Sequence, residues 1–402
     1  MKTLEDYREI VGDEVISNIY KEVRKLYGKQ ILEVNSTYQG GGVAEMLSSF
    51  IHLLNDIGIP TDWAILHGAP DFFEVTKQFH NALQGNNINL TENKKNVYLQ
   101  TNEEFFMYTH IHHDFVIIHD PQPLPIIKFY KKRQPWLWRC HIDLTNPHTE
   151  TWNFLKQFIL RYDAMIVSHE KYKRNDLPVD QKVIYPAIDP LASKNMPISD
   201  DLIYKTFRKF DIPTDKPLIT QISRFDPWKD PEGVLEVYKL VKEKVDCRLI
   251  LCGSLAMDDP EGIKIYDRVS KKANSLIKNR DVILIHTENN ILVNSLQRKS
   301  AVILQKSIRE GFGLTVSEAL WKERPVIASN VGGIPLQLID GENGYLVEPH
   351  DIKTCAKKVI HLLKDPDLSR KMGKKGKEFV RKNFLITRLL QDYLKLLREL
   401  LC

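Results

Sequence analysis

The sequence predicts an α/β protein made of two doubly wound halves, each a parallel sheet with helices on both faces. Three observations carry that prediction. Apolar strand-like runs alternate with amphipathic helical stretches over most of the chain, the pattern expected when helices connect parallel strands. A polar, proline-marked stretch from Pro190 to Pro217 interrupts the alternation, which then restarts. The length of 402 residues exceeds one ordinary core and fits two of about 200 each.

Taken in order, the first half opens with an apolar run over Ile31–Thr37, predicted as a strand, followed by an amphipathic helix over Val43–Leu54. Further strands are predicted over Trp63–His67, Asp114–His119 and Pro135–Asp143, then a helix over Glu150–Arg161. Runs at Ala164–Ser168 and Lys182–Tyr185 close this half. The proline-marked linker carries a short helix around Asp201–Lys209. In the second half, strands are predicted at Leu218–Ile222, Arg248–Cys252, Val282–His286, Ala301–Leu304 and Val326–Ser329, with helices between them. The last 50 or so residues read as helical. Ile386–Leu401 has apolar residues at helical spacing and is read as a final helix crossing back to the first half. The expected domains are therefore residues 1–193 with 385–402, and residues 194–384. In such sheets ligands bind beyond the carboxyl ends of the strands. Two halves facing a cleft would bring the loops after Thr37, His119, Asp143, Ile222, Cys252 and Gln305 around one site.

Composition narrows the function classes. Apolar residues make up 43% of the chain and charged residues 27%, ordinary for a globular protein. A net charge of +5 is too mild to imply nucleic acid. The basic run Lys371 to Arg381 has helical spacing and a single aromatic residue, Phe379, so it reads as a solvated face rather than a stacking platform. The five cysteines form no C-x-x-C pair, which argues against a disulfide framework or a zinc site. No apolar signal core and no run of about 18 apolar residues occurs. The expectation is a cytoplasmic protein with no membrane or nucleic-acid partner. Apolar helical faces near both ends are compatible with a homodimer.

The unusual polar clusters fall on the strand-end loops. The segment Glu310-Gly311-Phe312-Gly313-Leu314-Thr315-Val316-Ser317-Glu318 places two carboxylates around a glycine-flanked turn and a helix start. Glycine lets the backbone approach a ligand closely, and free N–H groups at a helix N-terminus suit a diphosphate. One carboxylate can hold ribose hydroxyls and the other a sugar hydroxyl, with the phosphates between. The bland alternative is a helix start with solvated acids. Ser223-Arg224-Phe225-Asp226-Pro227-Trp228-Lys229 opens the second half. Arg224 offers a planar fork to phosphate oxygens and Lys229 a point charge, and together they neutralise charge developing on a departing nucleotide. Cys252-Gly253-Ser254 is a strand exit that could line the nucleotide pocket.

In the first half, Gly40-Gly41-Gly42 joins a strand to a helix, where backbone N–H groups can meet an anion. Glu45 breaks the dinucleotide fingerprint. His119-Asp120-Pro121-Gln122-Pro123 is a stiff loop in which Asp120 and Gln122 can hydrogen-bond a polyol. Trp138-Arg139-Cys140-His141-Ile142-Asp143 brings His141 to a strand end, able to donate to a sugar hydroxyl or a leaving phosphate oxygen. A tight turn, a proline turn and a structural histidine are the respective structural readings.

Arg224 with Lys229, then Glu310-Gly311-Phe312-Gly313 and Glu318, resembles the large retaining group of GT-B glycosyltransferases. Gly41-Gly42, His141, Tyr185-Pro186-Ala187-Ile188-Asp189 and Gly332-Gly333 match that group's landmarks in order, with Pro186-Ala187 where Asn-Gly is usual. The resemblance covers essentially the whole chain. His119-Asp120-Pro121-Gln122-Pro123 and Gln305-Lys306-Ser307 resemble, more narrowly, the trehalose glycosyltransferring synthases, although trehalose phosphorylases share much of the pattern.

The resemblance implies roles. Arg224 and Lys229 would bind the donor diphosphate, and Glu318 the ribose. Glu310 with the Gly311, Phe312 and Gly313 backbone would hold donor glucose, and the Leu314 and Thr315 amides the phosphate. His141 would contact the donor sugar's 6-hydroxyl, Asp120 and Gln122 the acceptor glucose, and Gly41 or Gly42 the diphosphate or acceptor. The implied reaction moves α-glucosyl from a nucleoside-diphosphate glucose to the anomeric hydroxyl of glucose, making trehalose reversibly. Retention requires double displacement or same-face attack. The resemblance favours the second, with the leaving phosphate taking the acceptor's proton. No cofactor is obligatory. Mg2+ is compatible but no Asp-x-Asp at a strand end asks for it. A phosphorylase, a nucleotide-sugar epimerase, a non-catalytic sugar-nucleotide sensor and a dehydrogenase are the rivals. The last lacks the dinucleotide glycine spacing. The base of the donor is open among uracil, adenine and guanine.

Overall fold

The computed structural model describes residues 2–38, 41–253 and 260–401. Two six-stranded sheets organise the chain. The first comprises β1 (Ile31–Asn35), β2 (Thr61–Ile65), β3 (Phe115–His119), β4 (Trp136–Arg139), β5 (Ala164–Val167) and β6 (Asp180–Val183), in the order β2-β1-β3-β4-β5-β6. The second comprises β7 (Leu218–Ile222), β8 (Arg248–Gly253), β9 (Val282–His286), β10 (Val302–Gln305), β11 (Val326–Ser329) and β12 (Gly344–Val347), in the order β12-β11-β10-β7-β8-β9. All pairings between these strands are parallel. Parallel strands covered by helices on both faces need apolar residues at every position rather than alternating ones. The central strands β1, β3, β7 and β8 accordingly are buried at each residue.

Contacts divide the chain into two compact units, Met1–Ala187 with Ile386–Cys402, and Ile188–Leu385. The division falls at Ala187 and Ile188 rather than after residue 193. Its cause is local: Ile188 bridges Leu385, and its backbone N–H donates to the Phe384 carbonyl at 2.8 Å. The final helix, Ile386–Glu399, belongs to the first unit, where it packs on the helices Asp13–Val23 and Gly42–Asp56. Phe50 meets the Tyr393 ring edge-on at 4.7 Å, and Arg398 pairs with Glu22 at 2.8 Å. The apolar faces near the two ends thus pack against each other within the first unit. No helix among the described residues is long and apolar enough to cross a membrane.

Several elements differ from the sequence reading. The predicted strand Pro135–Asp143 ends at Arg139. Beyond Cys140 the chain leaves the ladder, and the His141 backbone N–H bonds the Asp120 carboxylate instead. Strand β12 and the helices Pro70–Leu83 and Glu92–Tyr108 were not anticipated.

Candidate active site

Each sheet has one place where the strand order turns back on itself: between β1 and β3 in the first, and between β7 and β10 in the second. Crevices at such switch points are where open α/β sheets bind ligands. The loops leaving these four strands carry most of the predicted site residues.

In the first unit, the register places one file of polar side chains on a single sheet face. Glu33 lies opposite Ile117, so His119, two residues on, shares its face. Arg139 lies opposite His119. Glu33 and His119 are fully buried and meet at 2.6 Å, Oε2 to Nε2. The other His119 nitrogen, Nδ1, lies 3.0 Å from His141 Nε2, with the two rings stacked at 14°. Arg139 is also buried, bonding the Tyr393 hydroxyl at 2.8 Å. Asp120 turns the chain at φ 60, a conformation that Asp tolerates better than most residues. Its carboxylate accepts from His141 N–H at 2.8 Å and its carbonyl from the Trp138 indole at 2.9 Å. Burial pushes the Asp120 carboxyl up to about 6. It also depresses the His141 imidazole well below its ordinary value, helped by the positive charge of Arg139. In the next turn the Gln122 carbonyl accepts from Asn102 at 3.0 Å. The Gln122 Oε1 is buried and finds no partner among the described residues. Gly41, at φ 89, caps the helix starting at Gly42. Gly40 lies outside the described residues.

In the second unit, Lys229 and Glu310 come together at 2.5 Å. Glu310 also accepts from Gln305 Nε2 at 3.2 Å and Ser307 Oγ at 3.1 Å. The Lys229 carbonyl accepts from Gln221 at 2.8 Å, and Gln221 in turn accepts from the Lys306 N–H at 3.0 Å, which ties the β7 loop to the β10 loop. Arg224 is exposed, with Asp226 at 3.6 Å. Gly253 is dictated by proximity: a Cβ there would lie 1.8 Å from the Ser223 carbonyl oxygen. The adjoining Ser254 lies outside the described residues.

Gly313, at φ 82, starts the helix Leu314–Trp321. The turn before it is held from below. Gln337 donates to the Phe312 carbonyl at 2.6 Å, and the Gly311 carbonyl accepts from Gly333 N–H at 3.1 Å. Glu318 sits inside that helix and is 5% exposed. Its carboxylate faces Gln297 at 3.3 Å and Lys194 at 3.5 Å. Behind it lies Lys322, which sequence reasoning missed. This ammonium donates to Asn195 Oδ1, Gln297 Oε1 and the Glu318 carbonyl at 2.8, 2.7 and 3.1 Å. Burial lowers its pKa to about 7, against the pull of Glu318. Arg224, Lys229, Glu310, Gly313 and Glu318 all belong to one unit, and His141, Asp120 and Gln122 to the other.

This arrangement on this fold defines a GT-B glycosyltransferase. A sucrose-phosphate synthase from Thermosynechococcus elongatus, 18% identical, aligns over 93% of this chain and 99% of its own with a TM-score of 0.75. Residues 203–379 match the glycosyl transferases group 1 family, and residues 33–174 the trehalose synthase N-terminal domain. The trehalose synthase of Thermococcus litoralis is 47% identical across 99% of this chain and 97% of its own length. That of Rubrobacter xylanophilus is 43% identical across 100% and 97%. A trehalose phosphorylase of Grifola frondosa is 31% identical, and the match spans only 58% of that protein. The chain belongs to the trehalose synthase family.

Proposed function

We propose that the protein makes trehalose by moving α-glucosyl from a nucleoside-diphosphate glucose to the anomeric hydroxyl of glucose, with retention and reversibly. The observation that carries this reading is the Lys229–Glu310 pair beside the helix that starts at Leu314, in a chain matched end to end by trehalose synthases. On this reading Lys229 and Arg224 hold the donor diphosphate together with the Leu314 and Thr315 amides. Glu310 and the turn from Gly311 to Gly313 hold the donor glucose, and Glu318 the ribose. Gly253 lines the nucleotide. Asp120 and Gln122 hold the acceptor, His141 contacts the donor sugar, and Gly41 or Gly42 faces the diphosphate or acceptor. Positioning and charge neutralisation supply most of the catalysis, with no resident cofactor.

The decisive experiment mixes the protein with glucose and each nucleoside-diphosphate glucose in turn and identifies the disaccharide linkage by NMR. An α,α-1,1 product supports the reading. Glucose phosphate formed from trehalose and inorganic phosphate, with no disaccharide from any nucleotide sugar, would replace it with the phosphorylase. A cytoplasmic location accords with the buried free thiols Cys140, Cys247, Cys252 and Cys355. A homodimer is tested by sedimentation.

A further inference from the structure

We propose that Glu33 is a positioning residue: through His119 it fixes which nitrogen of His141 carries the proton, so that His141 presents a bare Nδ1 to the sugar. The proposal rests on the reading that His141 contacts the donor sugar.

The argument starts from a carboxylate in an unusual place. Glu33 is the middle residue of β1 and fully buried, as are its neighbours. Its Oε1 has no partner among the described residues, while its Oε2 meets His119 Nε2. A carboxylate held this far from water needs a partner that gives back what hydration supplied. The buried guanidinium of Arg139 stands on the same sheet face, opposite His119 in the register, where it bonds the Tyr393 hydroxyl. In the relay proposed, His119 is a neutral ring between Glu33 and His141.

The hydrogen bonds then propagate in one direction. Ionised Glu33 can only accept, so His119 must carry its proton on Nε2. A neutral imidazole with a protonated Nε2 has a bare Nδ1. That Nδ1 lies 3.0 Å from His141 Nε2 and must accept, so His141 carries its proton on Nε2. The remaining nitrogen, His141 Nδ1, is left as an acceptor. A sugar hydroxyl meeting it donates, the reverse of the direction the sequence alone suggests. The groups around the file are Glu33 from β1, His119 and Asp120 from β3, Arg139 and His141 from β4 and its exit, and Tyr393 from the final helix. The low basicity of the buried His141 keeps it neutral beside them.

The test is long-range proton–nitrogen NMR on histidine-labelled protein, with the His141 signals assigned by their loss in His141→Asn. The wild type is expected to show His141 protonated on Nε2 and bare at Nδ1. Glu33→Gln keeps the shape but offers an amide N–H, which permits the whole file to invert. The His141 tautomer should shift, and kcat should fall by roughly 10- to 100-fold, the scale of losing a group that orients a site residue. The donor KM should stay within about twofold. Glu33→Asp, which keeps a carboxylate, should recover part of the loss.

A wild-type His141 protonated on Nδ1 overturns the proposal without any variant. So does an unmoved tautomer in folded Glu33→Gln. Turnover in His141→Asn separates the two ideas. If it is unchanged while the tautomer is as expected, the role given to His141 fails and the relay stands. If turnover is lost but Glu33→Gln leaves the tautomer alone, the relay fails and the role stands.

Discussion

The two switch-point clusters handle charge in opposite ways. In the first unit Glu33 and His119 are sealed inside, His141 and Asp120 are half-buried above them, and the groups answer one another: Glu33 with His119, His119 with His141, Asp120 with the His141 backbone. Such a chain is rigid, and its value lies in fixing orientations and proton positions. In the second unit the cations sit on loops, Arg224 exposed and Lys229 mostly covered with 17% of its side chain accessible. Lys229 meets Glu310, and on the proposed reading it exchanges that partner for a phosphate. A dry network suits discrimination among hydroxyls, whereas a wetter pair of cations suits capture of a multiply charged group.

The largest expected effect tests the second cluster. Lys229→Ala should lower kcat/KM for the nucleotide sugar by about 100- to 1000-fold, with Arg224→Ala following it. Stopped assays of nucleotide release measure this, and near-wild-type rates in both variants would remove the contrast drawn above.

Next comes Lys322, the one deeply buried cation behind Glu318. Its pKa in the folded protein is about 7 and its ordinary value is 10.5. Between those values the unfolded chain binds more protons, so stability should rise with pH through this window. The rise is roughly 2–3 kcal/mol from pH 7 to 9. Urea unfolding at several pH values should show it in the wild type and lose it in Lys322→Met. A flat wild-type profile would contradict the assignment.

Gly253→Ala should cost about 1–3 kcal/mol, because the new methyl meets the Ser223 carbonyl. The thermal midpoint reports it, and an unchanged midpoint would mean that the β7 and β8 exits are looser than described.

The smallest effect separates the clusters. Asp120→Asn keeps an acceptor for His141 N–H but removes the charge. The glucose KM should rise about tenfold, while the nucleotide-sugar KM stays put. If the nucleotide-sugar KM rises instead, the donor and acceptor assignments are exchanged. The native state also holds the Asp120 proton more tightly than the unfolded chain does, from about 3.8 up to about 6. Its contribution to stability should therefore fall as pH rises through that interval, and the variant should lack the fall.

Much of this was legible in the sequence because buried parallel strands leave unbroken apolar runs, and β3 and β7 are examples. The helix Glu92–Tyr108 was not legible, since only Tyr98 and Asn102 are fully buried and no apolar stripe repeats along it. Strand β12 begins at a glycine packed beneath Leu338 and spans four residues, too short for a pattern. Among site residues, those on loops stood out by type and spacing. Lys322 did not, because a lysine on a helix ordinarily faces water, and only the packing of Asn195 and Gln297 around it reveals otherwise. Glu33 did leave a trace, the one carboxylate in β1. Its partner His119, far along the chain, becomes apparent only when β1 and β3 are set side by side.

The first unit is interrupted in sequence: the chain leaves it at Ala187 and rejoins it at Ile386, whereas the second unit is one uninterrupted segment. During synthesis from the N-terminus, the second unit has all its residues before the first does. Phe50 and Arg139 must wait for Tyr393, which is made after the whole of the second unit. A nascent chain that has reached Leu385 therefore holds every residue of the second unit while the first still lacks its closing helix, so a stop at that point would spare the former and cripple the latter.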